Sequence, residues 1–401
     1  MKKILIVSEY MLCGGVEKSL LSLLKFINPK EYSITLMLLK KKGVLLNQIP
    51  DYVKVIEMPL PQDEEYDILY GKGNALKYCI KNLKLISFVK KFFRGLYLNI
   101  CSKNDEEKRL NYYKLIDKKF EMYDIEYDLA IDYMGYGLIN TFYVAKKINA
   151  KKKYTWVHFD PLKGMTCFSA FNYYLNFYDN VVCVSGDLKE KMMSISNTIQ
   201  SKFVVFNNIV YIEDNVLTEK KYDLDKKYLK ILSIGRLDID KGFDIGIKVI
   251  NLLVKNGYYI KWYIVGEGNQ RGLLETIISN YNLRDKIVLL GEKTNPYPYL
   301  ADCDIYFQPS RNEGYGIAVA EARAFYKPMV VTDFAGAKEQ LKNNDTGLIV
   351  SCDVKSLYIG LKTLLDNKEL RNKLSNNLKK ENQSSQDIKQ KVADLLEDRL
   401  L

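Results

Sequence analysis

The sequence predicts an α/β protein made of two doubly wound, Rossmann-like domains. Three observations carry this. Short apolar runs alternate with helix-period segments along the chain, glycine-containing charged turns follow several of those runs, and 401 residues suit two hydrophobic cores better than one.

In the first half, residues 3–8, 34–39, 53–56, 128–132, 154–158, 181–184 and 203–206 read as buried strands, with helical periodicity between them. In the second half the alternation is cleaner, with strands expected near 230–234, 259–265, 286–290, 305–308, 329–332 and 347–350. The polar stretch 207–227 has few helix or strand signals and lies where the two halves would join. Domains are therefore expected over residues 1–210 and 211–380. A polar helix-like tail, about 380–401, has too little apolar periodicity to stand alone and is expected to pack back onto the first domain.

Composition narrows the class further. Lys2 and Lys3 are followed only by Ile4, Leu5, Ile6 and Val7 before Ser8 and Glu9 break the apolar run, which does not read as an export signal. No apolar stretch reaches the ~18 residues of a membrane span. The seven cysteines are scattered without a C-x-x-C pair and the chain has one histidine, so a reducing cytoplasm is expected and a metal site or cofactor is not. A formal charge of +11 suits an anionic partner, but it equally reflects a composition rich in Lys, Tyr, Ile and Asn. No nucleic-acid partner is expected.

The most informative segment is Gly235-Arg236-Leu237-Asp238-Ile239-Asp240-Lys241-Gly242, which follows one strand and opens a helix. Strand C-termini are where open α/β sheets bind ligands. Glycine permits close backbone approach, a helix N-terminus favours an anion, and Arg236 and Lys241 add two cations, so a diphosphate is the expected guest. Val265-Gly266-Glu267-Gly268 follows the next strand. Pro309-Ser310-Arg311-Asn312-Glu313-Gly314-Tyr315-Gly316-Ile317 follows a later one, with Glu321 two helical turns further on. Thr332-Asp333-Phe334-Ala335-Gly336-Ala337-Lys338-Glu339 adds a further glycine-containing turn.

This ordered set resembles the second domain of family-4 glycosyltransferases, whose GT-B fold sets two Rossmann-like domains facing each other across a cleft. Gly14-Gly15-Val16-Glu17 after the opening strand is similar to the family's N-terminal Gly-Gly loop, and Asn207-Asn208-Ile209 resembles its interdomain N-G-I with Asn in place of Gly. The resemblance runs from residue 6 to about 350. It implies a retaining, metal-independent transferase that moves a sugar from a nucleotide-diphosphate donor, UDP by family habit, to a glycan or polyprenyl-diphosphate-linked acceptor. Residue by residue, it implies that Arg236 and Lys241 neutralise the leaving diphosphate and that Glu321 accepts the ribose hydroxyls. Glu313 and the amides of Gly314, Tyr315, Gly316 and Ile317 would hold the donor sugar and phosphate. Gly235 and Gly266 would let backbone approach the donor, and Gly14 and Gly15 would let the first domain close over it. His158, the sole histidine, resembles a first-domain position that faces the donor sugar, with Asp160 nearby; a structural histidine at a strand end is the alternative.

Asp238-Ile239-Asp240 imitates a metal-binding D-x-D, but the same spacing recurs at Asp223/Asp225 and Asp302/Asp304, so no metal is assigned to it. Competing readings are a GT-B sugar-nucleotide epimerase and a non-catalytic transferase-like partner subunit. Gly266-x-Gly268 with Glu292 also imitates a dinucleotide fingerprint, but its third glycine is displaced. Finally, residues 77–104 contain no acidic side chain but hold Lys77, Lys81, Lys84, Lys90, Lys91, Arg94 and Lys103 among helically spaced apolar residues. A basic amphipathic helix that contacts an anionic membrane at its cytoplasmic face is expected there, with an ordinary domain helix as the alternative.

Overall fold

A computed structural model describes residues 1–82, 84–160, 168–196, 198–212, 225, 227–381 and 384–399. The chain divides into two compact units. The first comprises Met1–Val184, Leu188–Phe206 and Val392–Leu401, and the second Ser185–Asp187 and Asn207–Lys391.

The first unit holds a seven-stranded sheet: β1 (Lys2–Ser8), β2 (Tyr32–Leu38), β3 (Lys54–Glu57), β4 (Tyr123–Asp132), β5 (Ile148–Val157), β6 (Asn180–Cys183) and β7 (Phe203–Val205). Their order is β3-β2-β1-β4-β5-β6-β7, and every pairing is parallel. The second unit holds β8 (Leu229–Ile234), β9 (Ile260–Val265), β10 (Ile287–Gly291), β11 (Ile305–Gln308), β12 (Met329–Thr332) and β13 (Leu348–Val350). Their order is β10-β9-β8-β11-β12-β13, again all parallel. All thirteen expected strands are thus present, and both sheets are doubly wound, the GT-B pattern. The winding reverses between β1 and β4 in one unit and between β8 and β11 in the other, which opens a crevice at each pair's C-terminal ends.

The strands are apolar along their length because helices cover both faces of each sheet. In the first unit the core is unusually aromatic: Tyr113, Phe120, Phe142, Tyr143, Tyr174 and Tyr178 pack beside Leu5, Val7 and Ala130. In the second, Trp262 and Phe307 meet Phe243 and Ile247 from the helix Phe243–Lys255. The C-terminal residues cluster with the first unit. Glu397 receives bonds from Lys2 and, at 2.8 Å, from Tyr32, while Asp398 receives them from Tyr154 and, at 3.1 Å, from Asn180. No helix among the described residues is long and apolar enough to cross a membrane.

The expected single helix over 77–104 is corrected. Two helices occupy the region, Lys72–Lys81 and Leu85–Cys101, and Leu83 lies outside the described residues. Two of the expected surface cations, Lys91 and Arg94, point inward and pair with the buried carboxylates of Asp67 and Glu64. Leu98 joins the core, whereas Tyr97 stays exposed.

One glycine tests how tightly the second sheet is covered. A Cβ on Gly246, within the helix Phe243–Lys255, would come 2.5 Å from Cη2 of Trp262, whose ring is fixed by an Nε1 bond to Ser233 Oγ of 2.9 Å. Ala is favoured over Gly in a helix by roughly 1 kcal/mol, but overpacking a rigid core costs about 1–3 kcal/mol. Gly246→Ala should therefore destabilise this unit. A urea midpoint equal to or above wild type would show that Trp262 gives way.

Candidate functional site

The second unit's crevice is built from backbone. Beyond β8, Gly235 N donates to Val265 O at 3.0 Å, Leu237 N to Glu267 O at 2.9 Å, and Gln270 N returns to Leu237 O at 2.9 Å. Gly266 sits at φ 150°, where a Cβ would overlap the Gly235 carbonyl. Gly242 sits at φ 63°, where a Cβ would overlap the carbonyl of Pro309, and Asp240 O accepts Arg311 N at 2.7 Å and Asn312 N at 3.2 Å. The loops after β8, β9 and β11 are thereby joined main chain to main chain. Arg311 reinforces the junction with a two-pronged grip on Asp244 at 2.7 and 2.6 Å and a bond to Ile239 O at 2.7 Å. Burial would raise the Asp244 carboxyl, but the Arg311 guanidinium outweighs it and holds that carboxyl below its ordinary range.

These loops bring Lys241 and Glu313 together, with Lys241 Nζ 2.5 Å from Glu313 Oε1. The same oxygen accepts from Ser310 Oγ at 3.0 Å and Gln308 Nε2 at 3.1 Å, and Gln308 is itself held by Tyr306 OH at 2.6 Å. Every one of these bonds falls on Oε1, and Oε2 has no partner among the described residues. Arg236 is the opposite case: its side chain is 76% exposed, and its one ion pair among the described residues is with Asp238, through Nε at 2.6 Å. The other Asp238 oxygen accepts Lys241 N at 3.2 Å, so this carboxylate shapes the turn.

Glu321 is 2% exposed and accepts from Tyr297 OH at 3.2 Å. It rides on the helix Ile317–Ala324, whose N-cap is Gly316 at φ 83° with no side-chain cap, while the amides of Val319 and Ala320 already bond Gly316 O at 2.9 and 3.1 Å. A Cβ on Gly316 would stand 2.9 Å from the Phe334 ring. Gly314 is buried. Tyr315 contributes backbone alone to the crevice: its side chain is buried, its hydroxyl is pushed up to about 12 by burial, and its carbonyl accepts from Gln340.

In the first unit, Gly14 precedes the helix Gly15–Phe26 and supplies no side-chain cap, while the Glu17 carboxylate folds back over it. His158 follows β5 and is 4% exposed. Its Nε2 lies 2.7 Å from Tyr133 O, an acceptor, so Nε2 carries the proton, and Nδ1 is a buried acceptor with no hydrogen-bond partner among the described residues. Burial pulls its pKa from 6.5 down to about 4, which makes the ring neutral at physiological pH. Asp160 is tied to Lys191 at 3.0 Å.

With this geometry in hand, the chain can be compared with known proteins. Residues 217–381 match the model of the family described as glycosyl transferases group 1. That match lies within the second unit. Among curated relatives, the chain is 32% identical over 196 residues to an N-acetylgalactosamine-N,N'-diacetylbacillosaminyl-diphospho-undecaprenol 4-alpha-N-acetylgalactosaminyltransferase of Campylobacter jejuni, a match covering 48% of this chain and 52% of that protein. It is 25% identical over 224 residues to the capsular polysaccharide biosynthesis glycosyltransferase CapM of Staphylococcus aureus, covering 52% and 58%. The chain thus spans about half the length of the curated relatives it matches. Among solved structures, Anabaena HepE in complex with UDP and glucose superposes with a TM-score of 0.70 at 15% identity, covering 99% of this chain and 100% of that one. A Staphylococcus aureus TarM mutant bound to UDP gives 0.69 at 15%, with the same coverage. At that identity the two structures speak for the fold of both units, whereas the group 1 match speaks for the second alone.

Sequence reasoning missed the supports of the group 1 crevice. Gln308 and Ser310 were legible as polar residues closing an apolar strand, but the Arg311–Asp244 grip, 67 residues apart, had no sequence signal.

His158 yields a pH test. Because its folded pKa lies below 6.5, the unfolded chain binds more protons between about pH 4 and pH 6.5, and stability falls as pH drops through that window. The full loss is on the order of 3 kcal/mol. Urea titrations of wild type and His158→Gln at pH 7.5 and pH 5 should show a smaller pH effect in the variant. Equal pH effects would mean that the ring titrates normally.

Proposed function

We propose that the chain is a family-4 retaining glycosyltransferase, independent of metal, that moves a sugar from a UDP-sugar to a glycan or polyprenyl-diphosphate-linked acceptor. The observation that carries this reading is the fixed Lys241–Glu313 pair and the exposed Arg236 on neighbouring strand ends of a group 1 domain, next to a helix with no side-chain cap. Lys241 and Arg236 would stabilise the diphosphate as its bond to the anomeric carbon breaks, the acceptor oxygen bonds to that carbon on the same face, and the acceptor's hydroxyl proton passes to the departing phosphate oxygen. Glu321 would receive the ribose hydroxyls. Glu313 would orient Lys241 through Oε1 and offer Oε2 to the donor sugar. The neutral His158 would accept a hydrogen bond from a sugar hydroxyl at Nδ1 rather than act as a base. UDP is supported by the ligand of HepE and TarM, and a lipid-diphosphate acceptor in surface-glycan biosynthesis by the names of the Campylobacter and Staphylococcus relatives. Such an acceptor would place the enzyme in the cytoplasm, peripheral to the membrane. Metal independence is supported by Asp238, whose carboxylate is taken up by Arg236 and the Lys241 amide.

Nucleotide release and product formation by the full chain test these roles. Arg236→Ala and Lys241→Ala should each lose a charge-assisted interaction worth roughly 1.5–3 kcal/mol, or ~10–100-fold in kcat/KM. Near-wild-type turnover in either would refute the diphosphate assignment. Glu321→Ala should chiefly raise the donor KM, whereas Glu313→Ala should also lower kcat, because Lys241 loses its anchor.

A separate measurement addresses mechanism: activity should persist in EDTA, and the product's NMR coupling should report the donor's α configuration. Rescue of a chelated enzyme by Mn²⁺ would return the Asp238/Asp240 pair to consideration.

A further inference from the structure

The helix Leu85–Cys101 is amphipathic with its polarity reversed. At 100° per residue, Leu85, Ile86, Val89, Phe92, Phe93, Leu96, Tyr97 and Ile100 fall within an arc of about 140°. All eight are exposed, Ile86 at 75%, Phe93 at 62% and Ile100 at 76%. The opposite face carries Leu98, fully buried, together with Lys91 and Arg94. Those two cations reach under the helix to Glu64 and Asp67, whose carboxylates are 1% and 2% exposed. Glu64 is also held by Tyr112 OH at 3.0 Å and Lys119 Nζ at 2.6 Å. The charged face thus anchors the helix, and the apolar face is turned outward. Eight large apolar side chains in one stripe exceed the scattered exposure of an ordinary surface and mark a face that meets something other than water.

The surroundings of the stripe favour one occupant. From Ile68 to Asn104 the chain has no acidic residue. Lys77, Lys81, Lys84, Lys90 and Lys103 are exposed there and form no ion pair among the described residues. Lys90 lies at the edge of the stripe on the helical wheel, and Ile80 of the preceding helix adds a further exposed apolar side chain. A two-fold dimer through the stripe would set most of this basic rim near a copy of itself, with exposed carboxylates only beyond the run, such as Asp105 after the helix end. An anionic lipid surface supplies both an apolar interior for the stripe and negative headgroups for the lysines.

We propose that the Leu85–Cys101 helix lies in the surface of an anionic bilayer, its apolar stripe inserted and its Lys91–Arg94 face clamped to Asp67 and Glu64. The proposal deepens the lipid-linked acceptor reading and rests on it for a reason to be at the membrane, while its test needs no turnover. The full chain is mixed with vesicles of phosphatidylglycerol and phosphatidylcholine in equal parts, or of phosphatidylcholine alone, at low and high salt. Wild type should sediment with the anionic vesicles, less so in high salt. The triple variant Ile86→Ser, Phe93→Ser, Ile100→Ser should lose roughly ten-fold or more of the bound fraction, because each inserted side chain gives up its burial. Replacing Lys77, Lys81, Lys84 and Lys90 with Gln should remove the preference for anionic vesicles. The triple variant should keep wild-type circular dichroism and wild-type nucleotide release with a short-chain soluble acceptor. Negligible binding of wild type to both vesicles, or undiminished binding of the triple variant, would overturn the proposal. So would a wild-type dimer by light scattering that the triple variant converts to monomer, since a second copy would then cover the stripe. Vesicle binding without transferase activity would instead sink the catalytic reading and leave this surface standing.

Discussion

Gly242 holds a left-handed backbone against the carbonyl of Pro309, and the main chain at Asp240 bonds the amides of Arg311 and Asn312. That contact fixes the distance between the loops after β8 and β11, and so the distance between Lys241 and Glu313. A side chain at residue 242 would require both an unfavourable φ and a steric overlap, so the loops could no longer approach as they do. Gly266, set against the Gly235 carbonyl, performs the same service between β8 and β9. The charged residues of the crevice are thus placed by backbone packing, with the Arg311–Asp244 grip and the Lys241–Glu313 pair bracing it through side chains.

The first unit solves a different problem with buried charge. Glu64 and Asp67 are almost wholly removed from water, a cost that no single ion pair offsets well. Lys91, Arg94, Lys119 and the Tyr112 hydroxyl share them, so each carboxylate is satisfied more than once. A network of this kind is unforgiving of rotation, because turning the helix Leu85–Cys101 to hide its apolar stripe would strip Asp67 of Lys91 and Arg94 and Glu64 of Arg94. The exposure of the stripe is therefore a consequence of where the charge is buried.

The architecture was legible in the sequence because parallel strands covered on both faces appear as continuous apolar runs, and all thirteen could be read this way. Arg236, Lys241, Glu313 and Glu321 stand out in the sequence because they lie in or just after glycine-bearing turns at strand ends, and the structure pairs Lys241 with Glu313 there and buries Glu321. What could not be read was the direction a side chain takes. Lys91 and Arg94 looked like part of a solvated basic face, and only the fold reveals the acids Glu64 and Asp67 waiting beneath them. Tyr315 likewise sat within the crevice motif, yet its ring turns into the core. His158 was conspicuous as the only histidine, but its neutrality follows from a burial that no spacing reports.

The two cations of the crevice differ in a way that bears on its chemistry. Lys241 is ordered before any ligand arrives, because Glu313 is itself fixed by Ser310 and by Gln308, which Tyr306 in turn holds. Its charge therefore needs little reorganisation when negative charge develops nearby, the property that makes an electrostatic contribution large in a transition state. Arg236 stands in solvent and, among the described residues, is paired only with Asp238 two residues away, so it must give up hydration and side-chain freedom to engage an anion. Some of its attraction is spent on that ordering. Under the proposed function, preorganisation would assign the larger share of transition-state stabilisation to the lysine, although the arginine carries the better-matched fork for a phosphate.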